Sequence, residues 1–278
     1  MPNEESWSVL SAPTSNSVVL AVDFPAPGRP EAGFADLTAV MGSAWSAHGV
    51  LQTKLPAVTL ADRPGPETYL DYWTGDEQLS GREVVAVLGY CLGGVYAAEI
   101  AERIARRQST EPAVVLFDGQ VTDKQLLAVE IDKLIALGGP VLTADEASQA
   151  RLRAVEIVTT PGIALADATE EIVALYREVA TGAFRKVGLA PERGEEVVRF
   201  FETYMAWLTA AEGIDPASAW GRSLALTSTD YAALEEDGAP TAVNATKLID
   251  KRFRLEVSHA DLLRADETAR VLRDHSGF

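Results

Sequence analysis

Only one cysteine stands in this sequence, so no disulfide can form within the chain, which is the expectation for a reducing cytoplasm. Histidine is nearly as scarce: His48, His259 and His275 are the only three. No apolar run approaches the roughly 20 residues needed to span a bilayer. The opening Met-Pro-Asn-Glu-Glu is acidic and polar, which excludes a signal peptide and reads as a short flexible tail. Positive charge is also short: 24 Lys and Arg face 41 Asp and Glu, for a net charge of −17. Such a surface repels nucleic acid and anionic membranes, which excludes both as main partners.

What is present is ordinary globular material. Of 278 residues, 47% are hydrophobic and 23% charged, enough for a core without metals or disulfides, and no metal site is expected. Apolar, β-branched runs at 17–23 (SVVLAVD), 83–88 (EVVAVL) and 113–117 (AVVLF) read as buried strands. A weaker strand is expected at 50–57. Helical patterns over 33–47, 67–77 and 95–107 alternate with these strands, which points to a parallel, doubly wound sheet. The rhythm changes over about 124–213, where four helical stretches (124–137, 144–156, 166–179 and 192–211) appear without a strand. Strands resume at 223–228 (SLALTS) and 252–257 (RFRLEV), and a last helix is expected over 261–273. The expectation is one α/β domain over 1–278 with a helical insertion at about 124–213.

The chemistry concentrates at Gly89-Tyr90-Cys91-Leu92-Gly93-Gly94, between a buried strand and a helix. A nucleophile on a tight strand-to-helix turn has strained backbone angles, and small residues on either side remove the collisions. The helix start beneath the sulfur favours thiolate over thiol. A buried cysteine in a glycine-rich turn is the plainer alternative. His259 follows the last strand, where the base of an α/β-hydrolase belongs, and the order nucleophile, acid, His is the order of that fold. His48, before Gly49, reads as a helix-end residue, and His275 as part of a frayed terminus. Asp118 and Asp230 each end a strand, and either could orient the imidazole; spacing alone does not choose between them. An oxyanion hole needs two backbone N–H groups. Leu92, after the nucleophile, supplies one. In the loop Phe24-Pro25-Ala26-Pro27-Gly28 the prolines have no N–H, so Ala26 is the natural second donor.

With these residues placed, the chain resembles the thioesterase domains and free-standing thioesterases of polyketide and nonribosomal-peptide assembly lines. The resemblance runs from about 17 to 273, through FPAPG, VVAVLGYCLGG, AVVLFDG, a helical lid and LEVSHADLL. It implies an oxyanion donor at Ala26, the acid at Asp118 in preference to Asp230, and the base at His259. It also implies an acyl or peptidyl substrate on the phosphopantetheine arm of a carrier protein, with no cofactor of the enzyme's own. The insertion is then expected to form a lid over Cys91, lined by Phe201, Tyr204, Met205 and Trp207, with plain helix packing as the alternative for these four. Arg103, Arg106 and Arg107 are one basic cluster for a carrier to meet, but read first as a solvated helix terminus. The family's usual nucleophile is Ser; Cys91 departs from it, which leaves hydrolysis, cyclisation and transfer to an amine all open. GYCLGG is also similar to the elbow of dienelactone hydrolases, which act on small lactones. A non-catalytic relative that binds an acyl chain or a partner is the alternative outside enzymes.

Overall fold

The structure is a computed structural model that describes residues 5–24, 29–137, 141–236 and 249–278. These fall into two compact units. The first comprises Met1–Pro56, Pro66–Val121 and Gly213–Phe278; the second comprises Ala57–Gly65 and Thr122–Glu212.

The first unit is built on a seven-stranded sheet. Its strands are β1 (Trp7–Ser11), β2 (Ser17–Val22), β3 (Gly49–Thr53), β4 (Glu83–Tyr90), β5 (Ala113–Phe117), β6 (Leu224–Thr227) and β7 (Lys251–Arg254). They lie in the order β1-β3-β2-β4-β5-β6-β7. Only β1 runs antiparallel to its neighbour. The central strands are the apolar runs of the sequence, because a parallel strand covered on both faces has no solvent side to display. In β2, Val18 to Val22 are wholly buried. Strand β1 was not expected; it lies between the opening Met-Pro-Asn-Glu-Glu, read as a flexible tail, and the first apolar run. Its burial alternates poorly, but Trp7 is fully buried and its indole N–H donates to the Trp73 carbonyl at 3.0 Å. One large aromatic thus anchors an edge strand that carries no period-two signal.

Helices α1 (Phe34–Met41), α2 (Pro66–Thr74), α3 (Gly93–Ala105), α8 (Ala217–Gly221), α9 (Thr229–Glu236) and α10 (Asp266–His275) also belong to this unit. The helix expected over 33–47 stops at Met41, since Gly42 takes φ +50° and the chain continues as a 3₁₀ turn over Gly42–Trp45. The last helix is divided too: a 3₁₀ turn covers His259–Arg264 before α10 begins. His275 is not frayed, because its ring stacks on Phe253 with centroids 4.5 Å apart. The core beneath the carboxyl ends of the strands includes Val19, Leu88, Phe117, Leu226 and Leu263. Phe34 meets Phe117 edge-on at 5.9 Å.

The second unit holds α4 (Lys124–Leu137), α5 (Ala144–Thr159), α6 (Leu165–Lys186) and α7 (Pro191–Ala210), the four stretches read as helical. Thr143 and Glu146 form a reciprocal cap at the start of α5, and Lys186 reaches Glu146 at 2.6 Å. Helix α7 starts with proline, whose missing N–H costs nothing in a first turn. Tyr176 of α6 packs on Phe201 of α7 at 4.3 Å, and Thr169 and Thr209 share a 2.7 Å hydrogen bond. Among the described residues, no helix is long and apolar enough to cross a membrane.

Candidate active site

Cys91 sits between the end of β4 and the start of α3 at φ +52°, a conformation that costs a residue with a β-carbon on the order of 1–3 kcal/mol. Three backbone hydrogen bonds hold it there. Its N–H donates to the Phe117 carbonyl at 2.8 Å, and its own carbonyl accepts from Gly94 at 3.1 Å and Gln120 at 3.2 Å. The flanking glycines are steric requirements. A β-carbon on Gly89 would lie 2.4 Å from Gly94 Cα, and one on Gly93 would lie 2.2 Å from the Val22 carbonyl oxygen. The Trp220 indole donates to the Gly94 carbonyl at 3.0 Å and pins the first turn of α3. The sulfur is half-buried, and its thiol donates to Oε1 of Gln120 at 3.3 Å.

Asp118 follows β5, is fully buried and takes φ +47°. Its N–H donates to the Leu226 carbonyl at 3.0 Å, which ties it to the next strand. One carboxylate oxygen accepts the Ser228 N–H at 2.8 Å; the other lies 2.7 Å from His259 Nδ1. A buried carboxylate is tolerable only when so satisfied. Asp230, in the first turn of α9, also touches His259, but at its backbone N–H, 2.7 Å from Oδ2. The two acids that the sequence left in competition therefore hold different parts of one residue.

His259 is further fixed by Tyr90. The phenol donates to the His259 carbonyl at 2.9 Å, and the two rings stack with centroids 4.7 Å apart and an 18° interplanar angle. Burial pushes the imidazole pKa down, but hydrogen bonds to Asp118 and Cys91, and their charges, outweigh it and raise it to about 10. With Nδ1 on Asp118, Nε2 is the nitrogen left for the sulfur. Burial, aided by the charges of Cys91 and Asp23, pushes the Tyr90 phenol up, so it remains a donor.

A second layer flanks Tyr90. The Arg29 guanidinium lies 5.5 Å from its ring centroid. Arg29 pairs with buried Asp23 through both nitrogens, one at 3.1 Å, and also donates to the carbonyls of Phe24 at 3.2 Å and Ala32 at 3.3 Å. Burial raises the Asp23 pKa against the pull of Arg29. Residues 25–28, and with them Ala26, lie outside the described residues. Leu92 is the N-cap of α3 with its side chain buried, and its N–H belongs to the donors that a helix start leaves over.

Asp23, Arg29, Tyr90 and Gln120 escaped the sequence reading. Tyr90 and Gln120 were adjacent to motif residues, and their proximity to them was the only signal; the six-residue step from Asp23 to Arg29 matches no helix or strand period. Phe201, Met205 and Trp207 are buried on α7, where Tyr204 and Trp207 tilt together at 6.1 Å. The basic cluster is already occupied. Arg103 pairs with Glu67, Asp71 and Glu99, Arg106 with Glu99 at 3.7 Å, and Arg107 donates to the Thr74 carbonyl at 2.6 Å. Among the described residues no group of three or more His, Cys, Asp and Glu could hold a metal ion.

No family model matches the chain, and no curated protein matches it. Solved structures do. The Vlm2 thioesterase domain with genetically encoded 2,3-diaminopropionic acid, bound with a dodecadepsipeptide, is similar over 98% of each chain, at 17% identity and a TM-score of 0.55. A second crystal form of that complex gives 16% identity and a TM-score of 0.52, again over 98% of each chain. The enol-lactonase from Burkholderia xenovorans LB400 is similar at 15% identity over 95% of this chain and 91% of its own, with a TM-score of 0.47. The sheet order, the elbow and the likeness to the Vlm2 thioesterase domain define the fold: the chain has an α/β-hydrolase fold.

Proposed function

We propose that the chain is a thioesterase or acyltransferase that takes an acyl or peptidyl chain from a carrier-protein thioester onto Cys91 and then releases it. The observation that carries this reading is the constellation around the sulfur: the only cysteine at a positive-φ elbow, next to a His259 ring whose far nitrogen is 2.7 Å from buried Asp118.

In this reading Asp118 orients the ring, and the proton of Sγ rests on Nε2 of His259, whose raised pKa holds it there as the imidazolium partner of the thiolate. The thiolate adds to the thioester carbonyl of the substrate. The oxyanion is received by the N–H of Leu92 and, we propose, that of Ala26. Collapse expels the phosphopantetheine thiolate, which takes the proton from His259, and leaves the chain as a thioester of Cys91. An acceptor O–H or N–H then loses its proton to His259 as it attacks, and the sulfur leaves as thiolate. Asp230 holds the backbone of His259 and takes no proton. No cofactor of the enzyme's own enters, and an unpaired cysteine suits work in the cytoplasm. The carrier-borne substrate draws support from the sequence resemblance and from the likeness to a thioesterase domain bound with a depsipeptide. A thioester on sulfur keeps more of its free energy than an oxyester would, which favours transfer to an amine beside hydrolysis.

The test is incubation with acyl-loaded carrier protein, products read by mass, with and without an added amine. Loading followed by free acid alone makes the protein a hydrolase; an amide formed with the amine makes it a transferase. No loading from any carrier, alongside rapid opening of small lactones, overturns the carrier-protein reading. Phe201, Tyr204, Met205 and Trp207 are proposed to meet the acyl chain. Tyr204→Ala should then change the preference among chain lengths while acetyl thioesters turn over as before.

A further inference from the structure

The mechanism above leaves one polar group at the sulfur unused. Oε1 of Gln120 lies 3.3 Å from Sγ of Cys91, while the backbone N–H of the same residue donates to the Cys91 carbonyl at 3.2 Å. Gln120 is therefore tied to the elbow at two points. The residue before it is held as well: the Gly119 carbonyl accepts the Tyr231 hydroxyl at 2.6 Å, and a β-carbon on Gly119 would stand 3.4 Å from the Trp220 ring. A side chain on so fixed a backbone meets the sulfur by construction rather than by loop drift.

A primary amide differs from every other neutral side chain in offering an acceptor and two donors on one planar group. Turned over about its Cγ–Cδ bond, Gln120 puts Nε2–H where Oε1 stood. We propose that Gln120 is a catalytic residue at the nucleophile: its carbonyl accepts the S–H whenever the sulfur carries the proton, and its N–H₂ donates to the thiolate once the proton has passed to Nε2 of His259. This rests on the reading of Cys91 as nucleophile and adds a neutral group that follows the charge on sulfur. A carboxylate in the same place could serve only the thiol.

The other titratable groups of the site are His259 on the 3₁₀ turn, Asp118 on its Nδ1 and Tyr90 on its carbonyl, with Arg29 and Asp23 beside Tyr90. All remain in Gln120→Glu and Gln120→Leu, so a difference between these variants and the wild type reports on position 120. With one cysteine in the chain, the pH dependence of iodoacetamide alkylation reads Cys91 alone.

Gln120→Glu should move the alkylation profile up by about one pH unit, about tenfold in rate on the rising limb, because a second anion so close disfavours thiolate. Gln120→Leu, which bonds neither form, should move it up by less and keeps the test open if the acidic variant folds poorly. Profiles for both variants that overlay the wild type would overturn the role of Gln120 while leaving Cys91 as nucleophile. A wild-type thiol no more reactive than free cysteine at pH 7 would overturn the nucleophile reading, and this inference with it.

Discussion

Asp118 and Asp230 both touch His259, and the atoms they touch decide what each substitution should do. Asp118→Asn keeps the shape but loses the anion that fixes the tautomer. Turnover of an acyl thioester should fall by about 10²–10⁴-fold. Asp230→Asn still offers an acceptor to the backbone N–H, so its loss should stay within about tenfold. Steady-state rates on one substrate compare the two directly, and a crippled Asp230→Asn beside a healthy Asp118→Asn would reverse the assignment. The raised imidazole pKa has its own signature. A histidine whose pKa goes from 6.5 when unfolded to about 10 when folded adds stability that is complete below 6.5 and is lost as pH rises through about 10. Denaturant unfolding of the wild type should therefore weaken between pH 7 and 10, and Asp118→Asn should flatten that slope. Identical slopes would contradict the pairing.

At the scale of elements, the elbow makes the sharpest demand. Gly93→Ala would force a β-carbon to 2.2 Å from the Val22 carbonyl, so β2 or α3 must shift; overpacking of this kind costs about 1–3 kcal/mol, and more where backbone is the obstacle. Gly182→Ala, on α6 with nothing within 4 Å, should instead stabilise by about 0.5–1 kcal/mol. Urea unfolding of the pair checks both signs. The same elements show how much was legible before the structure. Buried parallel strands advertise themselves as unbroken apolar runs, and the long helices α4 to α7 by their period, so both were located, although α6 runs seven residues past the expected 179, to Lys186, and β7 ends at Arg254 rather than 257. Strand β1 was missed because an edge strand needs only Trp7 for its anchor. Helices α8 and α9, five and eight residues long, are too short for a period to show. At the site, Cys91 and His259 could be singled out because a turn motif and chain order constrain them, whereas chain order left Asp118 and Asp230 level and only the family resemblance preferred Asp118. Gln120, Tyr90, Asp23 and Arg29 meet them only through the fold, by contacts that cross strands or loops and leave no fixed spacing.

For the whole molecule, the net charge of −17 governs how a partner could approach. The one basic cluster singled out, Arg103, Arg106 and Arg107, is spent on Glu67, Asp71, Glu99 and the Thr74 carbonyl, and so offers little free positive charge to an acidic carrier. Loading from such a carrier should not slow when ionic strength rises from about 0.02 to 0.15 M, and should quicken as the shared negative charge is screened. A loading rate that falls steeply over that range would mean that a basic docking surface exists elsewhere on the chain. The central claim, that acyl transfer passes through the sulfur of Cys91, is tested most directly by intact mass after brief exposure to an acyl thioester. The wild type should gain one acyl mass, removable by hydroxylamine, and Cys91→Ala should gain none. Equal acylation of the two proteins would contradict the account.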